Sequence, residues 1–185
     1  MGGMSLGDRL RDARQGKGWS LRALGEKTGF SASFLSQVEL GQSSPSLSSL
    51  EKIAAALGLS LSEVIAGKPQ PAAPLLRKAG RDGLRSEWSK AYVESLLPSG
   101  SDENMEALLL RLDPSGRTGE RRVAARSKLF AYVTLGSAVL ILSDPSEELS
   151  VEAGDSAVID GPRGQCWENR SDERVEILLV TARLG

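Results

Sequence analysis

The chain has 185 residues, 40% of them apolar and only 4% aromatic, with 23 basic and 24 acidic groups. That is enough for two small domains with cores built from Leu, Val, Ile and Ala. With no histidine and a single cysteine, Cys166, the chain can form no intrachain disulfide and can run no Ser–His or Cys–His chemistry.

A lone cysteine fits a reducing compartment, and no basic stretch leads into an apolar run near the start. A cytoplasmic protein without signal peptide or membrane span is therefore expected. Charge is unevenly spread. Residues 1–66 carry seven basic and six acidic groups, residues 67–90 six and two, and the remainder ten and sixteen. An acidic C-terminal half is repelled by phosphates, so any nucleic-acid contact is expected from the N-terminal half.

In chain order, Leu6, Leu10 and Ala13 repeat at helical spacing behind a capping Ser5, and Gly16-Lys17-Gly18 ends that helix. Ser20 caps a second helix with Leu21, Ala23 and Leu24, which Thr28-Gly29 stops. Ser31 opens a third, with Phe34, Leu35 and Val38 as its apolar stripe and Gly41 at its end. Ser46 opens a fourth, buried through Leu47, Leu50, Ile53, Ala54 and Leu57 and closed by Gly58. Ser60 and Glu63 form a capping-box pair at the head of a fifth, with Leu61, Val64 and Ile65. The prediction is an all-α unit over 5–66, with Trp19 and Phe30 in its core.

The run WSLRALGEKTGFSASFLSQVELG at 19–41, followed by PSLSSLEKIAAALGLSL at 45–61, resembles the lambda-repressor-like (Xre-type) helix-turn-helix family over the whole unit, without a gap. The resemblance implies a bacterial DNA-binding transcription regulator. Its third helix would enter the major groove by its N-terminal end and its second would cross the phosphate backbone. By that resemblance Ala32, Ser33, Ser36 and Gln37 face base edges, Gln37 being suited to a bidentate pair with adenine. Ser20, Leu21 through its backbone N–H, Arg22, Ser31, Gln42, Ser43 and Ser44 are placed for phosphates. The serines at 20, 31 and 46 are helix caps as well. Arg14 and Glu39 match the family's ion pair between the first and third helices. Leu21 stands where a phosphate-gripping glutamine is frequent, so a larger share of affinity is expected from backbone contacts, DNA shape and dimeric avidity.

Residues 67–76, GKPQPAAPLL, contain three prolines in six positions and read as a semi-extended linker. Beyond it the period changes to two. Short β-type runs at 105–112, 129–135, 138–142, 157–159 and 175–181 alternate with turn clusters, and 77–97 supplies leading edge strands and a loop. Such spacing predicts a double-sheet barrel over 77–185. The fold class expected is thus α + β in two domains: five helices, then an all-β barrel.

The glycine spacing of that segment is similar to the cupin family. Gly116 and Gly136 fall on the glycines of the first cupin motif, with Arg122, Ala124 and Leu129 at its ligand positions. Gly154 and Asn169 match the ends of the second motif, with Gln165 at its histidine. None of the four is a histidine or carboxylate, so no transition metal, no cofactor and no catalytic residue is expected. What the resemblance leaves is a barrel that dimerises and encloses a pocket for a small-molecule effector. Arg122, Ala124, Leu129, Ala131, Val133, Gln165 and Trp167 would line it by strand alternation, and Arg122 would hold an anionic group. The alternative is a barrel filled by its own side chains. Cys166 faces the other way and is read as a small buried residue.

Three functions compete for these residues. A homodimeric regulator binding double-stranded DNA fits every feature. An antitoxin-like or other protein-interaction module would show a large apolar surface and no cavity. A metal-free isomerase-like enzyme would need acid–base residues that the matched positions lack.

Overall fold

The computed structural model describes residues 4–66, 75–98, 105–119, 123–124, 128–143, 146–160 and 163–182. Five helices come first: α1 (Leu6–Gly16), α2 (Leu21–Thr28), α3 (Ala32–Glu39), α4 (Leu47–Leu57) and α5 (Leu61–Ala66). Serine caps set their starts as the sequence predicts. Ser5, Ser20, Ser31 and Ser46 each accept a hydrogen bond from the backbone N–H three residues on. At α5 the capping box is reciprocal: Glu63 N–H donates to Ser60 Oγ at 3.0 Å and Ser60 N–H to Glu63 Oε2 at 2.6 Å. Leu10, Leu24, Leu35, Val38, Leu50, Ile53, Leu57 and Val64 form the interior. Trp19 and Phe30 depart from expectation. They flank this core half-buried, with lysine ammonium groups over their rings: Lys17 and Lys27 over Trp19, Lys52 over Phe30.

Among the described residues ten strands follow: β1 (Gly83–Ser86), β2 (Ala91–Ser95), β3 (Met105–Leu112), β4 (Val123–Ala124), β5 (Leu129–Leu135), β6 (Ser137–Leu142), β7 (Glu147–Glu152), β8 (Ser156–Ile159), β9 (Gly164–Glu168) and β10 (Val175–Ala182). They build two antiparallel sheets, ordered β1-β2-β3-β10-β5-β8 and β4-β9-β6-β7. The last eight strands interleave as a jelly roll, the barrel architecture of cupins. Its interior holds Leu110, Leu112, Ala131, Val133, Leu140, Trp167, Val175 and Ile177. Strands β7 and β9 were not legible as alternating runs. β7 is an edge strand with only Val151 buried, and β9 buries Cys166 and Trp167 in succession, one on each face.

The motif positions that survive in the sequence are structural. Gly136 turns from β5 to β6 at φ +75°, and an added Cβ would lie 2.7 Å from the Arg174 carbonyl. Asn169 is buried and donates Nδ2–H to the carbonyls of Leu112, Asp113 and Glu173, pinning two turns together.

Helices and barrel share one apolar cluster, joined where α5 lies on β1 and β2. Three polar contacts fix the seat. Ser86 Oγ–H donates to the Pro45 carbonyl (2.9 Å), Ser48 N–H to the Thr118 carbonyl (3.0 Å), and Ser62 N–H to Glu106 Oε1 (2.7 Å). Beside the last sits Glu51, whose carboxyl is pushed up to about 7 by burial and by the neighbouring Glu106 carboxylate. Residues 67–74 of the expected linker lie outside the described residues. No helix among the described residues is long and apolar enough to cross a membrane.

Candidate DNA interface

The geometry of the site starts from a close approach. Gly7 on α1 lies so near the end of α3 that an added Cβ would collide with the Glu39 carbonyl. That proximity brings Arg14 and Glu39 together. Arg14 Nε–H donates to Glu39 Oε1 at 2.7 Å and Nη2–H to Oε2 at 2.8 Å, while Nη1–H reaches the Trp19 carbonyl at 2.7 Å. Both side chains are buried, and hydrogen bonding to Glu39 holds the Arg14 guanidinium more firmly charged than usual. One fork thus ties α1, the segment before α2, and the C-terminal end of α3. The pair has the partners that the resemblance implies, and it fixes how α3 points.

At its other end α3 projects outward. Ser31, Ala32, Ser33 and Gln37 are exposed and Ser36 is half-buried, while Leu35 and Val38 face inward. The four expected base-reading positions therefore form one outward stripe. Among the described residues nothing from the barrel buries Ala32, Ser33 or Gln37. Alongside, Ser20 is exposed at the start of α2, Leu21 is half-buried, and Arg22 is exposed with Glu26 at 3.4 Å. The loop after α3 carries the remaining phosphate candidates. Gln42 and Ser44 are exposed, and Ser43 is half-buried. The N–H groups of Gln42 and Ser43 both close on the Gln37 carbonyl, at 2.8 and 3.2 Å, so this loop is locked to the reading helix.

The barrel's contribution to this edge was not visible in the sequence. Thr118 and Gly119 pass over the N-terminal end of α4, where the Thr118 carbonyl occupies the Ser48 N–H and Gly119 has no room for a Cβ against the Ser48 side chain. Periodicity carries no signal for such a contact. The only hint is a glycine inside a strand-rich region.

Of the expected effector-pocket residues, Leu129, Ala131, Val133 and Trp167 are buried in the barrel. Gln165 is half-buried, and its Oε1 accepts from Trp167 Nε1–H at 2.7 Å. Ala124 belongs to β4, paired with Gly164, and Arg122 lies outside the described residues. A shallow acidic depression lined by Glu152, Asp172 and Glu173 lies elsewhere, by the β5–β6 turn. Cys166 is buried on the opposite side of β9 from Gln165 and Trp167, donating to the Gly119 carbonyl at 3.0 Å. Among the described residues no group of three or more Cys, Asp or Glu is arranged for a metal ion.

A five-helix unit with an exposed α3 tip, seated on a jelly-roll barrel, is the build of a helix-turn-helix DNA-binding protein. Comparison with known proteins agrees. The helix-turn-helix family model matches residues 10–64. The regulator SinR of Bacillus subtilis is 32% identical over 106 residues, covering 56% of this chain and 88% of SinR. PuuR of Escherichia coli, an HTH-type transcriptional regulator, is 28% identical over 169 residues, 91% of this chain and 90% of PuuR. A solved HTH_3-family regulator from Vibrio cholerae superposes with a TM-score of 0.76 at 21% identity, covering 97% of this chain and 96% of its own. The chain belongs to the Xre-type helix-turn-helix family and is a DNA-binding transcription regulator.

Proposed function

We propose that this regulator reads a specific duplex sequence as a homodimer, with residues 5–66 gripping DNA and residues 77–185 pairing the two copies and binding a small-molecule effector. The observation that carries the reading is the exposed N-terminal stripe of α3, oriented by the buried Arg14–Glu39 fork. Gln37 pairs with a base edge, Ser33 and Ser36 add single hydrogen bonds, and Ala32 offers only a methyl contact. Ser20, Leu21 N–H, Arg22, Ser31, Gln42, Ser43 and Ser44 hold the backbone.

Dimerisation is supported by the outer face of the six-stranded sheet. In one row Leu109, Leu178 and Tyr132 are register neighbours. In the next, Ala107, Val180, Phe130 and Val158 are. Phe130, Tyr132 and Val158 are exposed, with Val158 at 67%, and a contiguous apolar patch on a sheet asks for a partner. A second copy, related by a two-fold axis, matches the symmetry of paired half-sites. The same face also suits an antitoxin-like contact with a different protein. Light scattering separates the two: a dimer that Phe130→Glu turns into a monomer supports the first reading, and a monomeric wild type supports the second.

For the effector, the polar pair Gln165–Trp167 among Leu129, Ala131 and Val133 supports a ligand-facing wall, which Arg122 and Ala124 would complete. The chain has no histidine, and the relatives named above are regulators, so it works in the cytoplasm as a binding protein without metal or catalytic step. The test of the whole is selection of duplexes from a random pool by the purified protein. A defined site should emerge, and Gln37→Ala should relax one position of it by about 1–3 kcal/mol. Failure to enrich any sequence would overturn the reading.

A further inference from the structure

We propose that Thr118 is a positioning residue for the DNA contact, the joint through which the inner wall of the barrel and the phosphate loop Gln42–Ser44 act on one another. This rests on the reading of that loop as a phosphate contact and of Gln165 and Trp167 as effector-facing.

Thr118 is buried, and its polar groups are spent on joining two parts of the molecule. Its N–H donates to the Trp167 carbonyl at 3.0 Å, and its Oγ1 accepts from Trp167 N–H at 3.1 Å. Its carbonyl accepts from Ser48 N–H, in the first turn of α4, at 3.0 Å. A threonine offers one backbone donor, one backbone acceptor and a hydroxyl. Here the donor and the hydroxyl hold a single residue of β9, and the acceptor holds the helix. The next residue is fastened to β9 as well, because Cys166 Sγ–H donates to the Gly119 carbonyl at 3.0 Å. Thr118 itself lies between β3 and β4, outside the strand ladders, so it can shift without breaking a sheet.

Each side of the joint leads to a site. On the barrel side the Trp167 ring is buried in the interior, and its Nε1–H donates to Gln165 Oε1 at 2.7 Å. A ligand that draws on that pair draws on the residue that brackets Thr118. On the head side, Pro45 to Ser48 follow Ser44 directly and are all buried. The loop's other end is tied to α3, through the N–H groups of Gln42 and Ser43 on the Gln37 carbonyl. The loop is therefore strung between α3 and the barrel, and a displacement of Ser48 is taken up by Gln42–Ser44. The other two polar contacts of the seat, Ser86 to Pro45 and Ser62 to Glu106, are made by β1 and β3, neither of which pairs with β5 or β9. Thr118 is thus the member of the seat that reaches the expected effector wall.

Coupling between two sites is reciprocal, so DNA at the loop must register in β9. The assay is amide hydrogen exchange, read by mass spectrometry on the full chain, free and bound to a duplex that it has selected from a random pool. In wild type the duplex should slow exchange at residues 42–48 and also at 164–168, with β3 and β10 as unchanged controls. Thr118→Val removes the acceptor for Trp167 N–H at nearly constant shape. It should abolish the response of β9 and weaken duplex affinity roughly fivefold, the low end for coupled sites, while the preferred sequence stays the same. Thr118→Ser keeps the hydroxyl and should restore both. Gly119→Ala cuts the joint on the α4 side, since its Cβ has no room against the Ser48 side chain. It should abolish the β9 response with Thr118 intact, so the test stands even if Thr118→Val folds poorly. A wild type that binds its duplex with no change in β9, or a β9 response that survives in either variant, would overturn this proposal alone. A wild type that selects no duplex would overturn it together with the functional reading.

Discussion

Replacing Glu51 by glutamine should stabilise this protein, and increasingly so as pH rises. Burial and the Glu106 carboxylate raise the Glu51 carboxyl from 4.5 to about 7 in the folded chain. The sign follows from linkage. Below about 4.5 the group is protonated in both states and costs nothing. Between 4.5 and 7 the unfolded chain releases a proton that the folded one retains, so stability falls as pH rises. Above 7 the cost is fully present. That difference of about 2.5 pK units is worth roughly 3 kcal/mol. Glutamine has the same shape and no charge, so Glu51→Gln should gain about 1 kcal/mol at pH 5 and about 3 kcal/mol at pH 8.5. At the higher pH that corresponds to a melting-point rise of roughly 6–12 °C. Thermal unfolding followed by helical circular dichroism at both values reads it directly. Because Glu106 also accepts Ser62 N–H, Glu106→Gln serves as the companion variant, and it should lower the pH at which the Glu51 cost levels off and make that cost smaller. A Glu51→Gln gain that is the same at both pH values, or larger at pH 5, would refute the reasoning.

Three further outcomes are expected. Gly7→Ala should destabilise the helices by about 1–3 kcal/mol in urea unfolding, since its methyl collides with the Glu39 backbone and α1 must move away from α3. Glu39→Ala should cost about 3–5 kcal/mol by the same measurement, because it leaves the Arg14 guanidinium buried without its partner. Gly119→Ala should loosen the seat of the barrel on α4 by driving Thr118–Gly119 off Ser48, read as faster limited proteolysis between the helices and the barrel with the melting of each part little changed.

The helical unit was legible almost residue by residue because its signals are local. A serine cap, an apolar residue every three or four positions and a glycine to stop are each read within a single turn. The same holds for Arg14 and Glu39, whose types and spacing belong to a recognisable family pattern. The barrel was legible where strands alternate, as in β5, where Leu129, Ala131 and Val133 face in and Phe130 and Tyr132 face out. It was illegible at β9, where Cys166 and Trp167 are both buried, Cys166 being covered by the Thr118–Gly119 segment. The seat of the barrel on α4 and α5 escaped for the same reason. Backbone carbonyls at Pro45 and Thr118 and a carboxylate at Glu106 make it, and no residue pattern announces contacts between groups that every sequence contains.

That seat has a consequence for the operator. In a dimer whose reading heads are clamped to their frame, the distance and angle between heads become properties of the frame. Inserting one base pair between half-sites turns the second around the duplex by roughly a tenth of a revolution, and no joint in the clamp can follow it. The letters of the site would be chosen by α3, and the gap between its two halves by the barrel, so mutations under α4 and α5 should shift the preferred gap while leaving the letters intact.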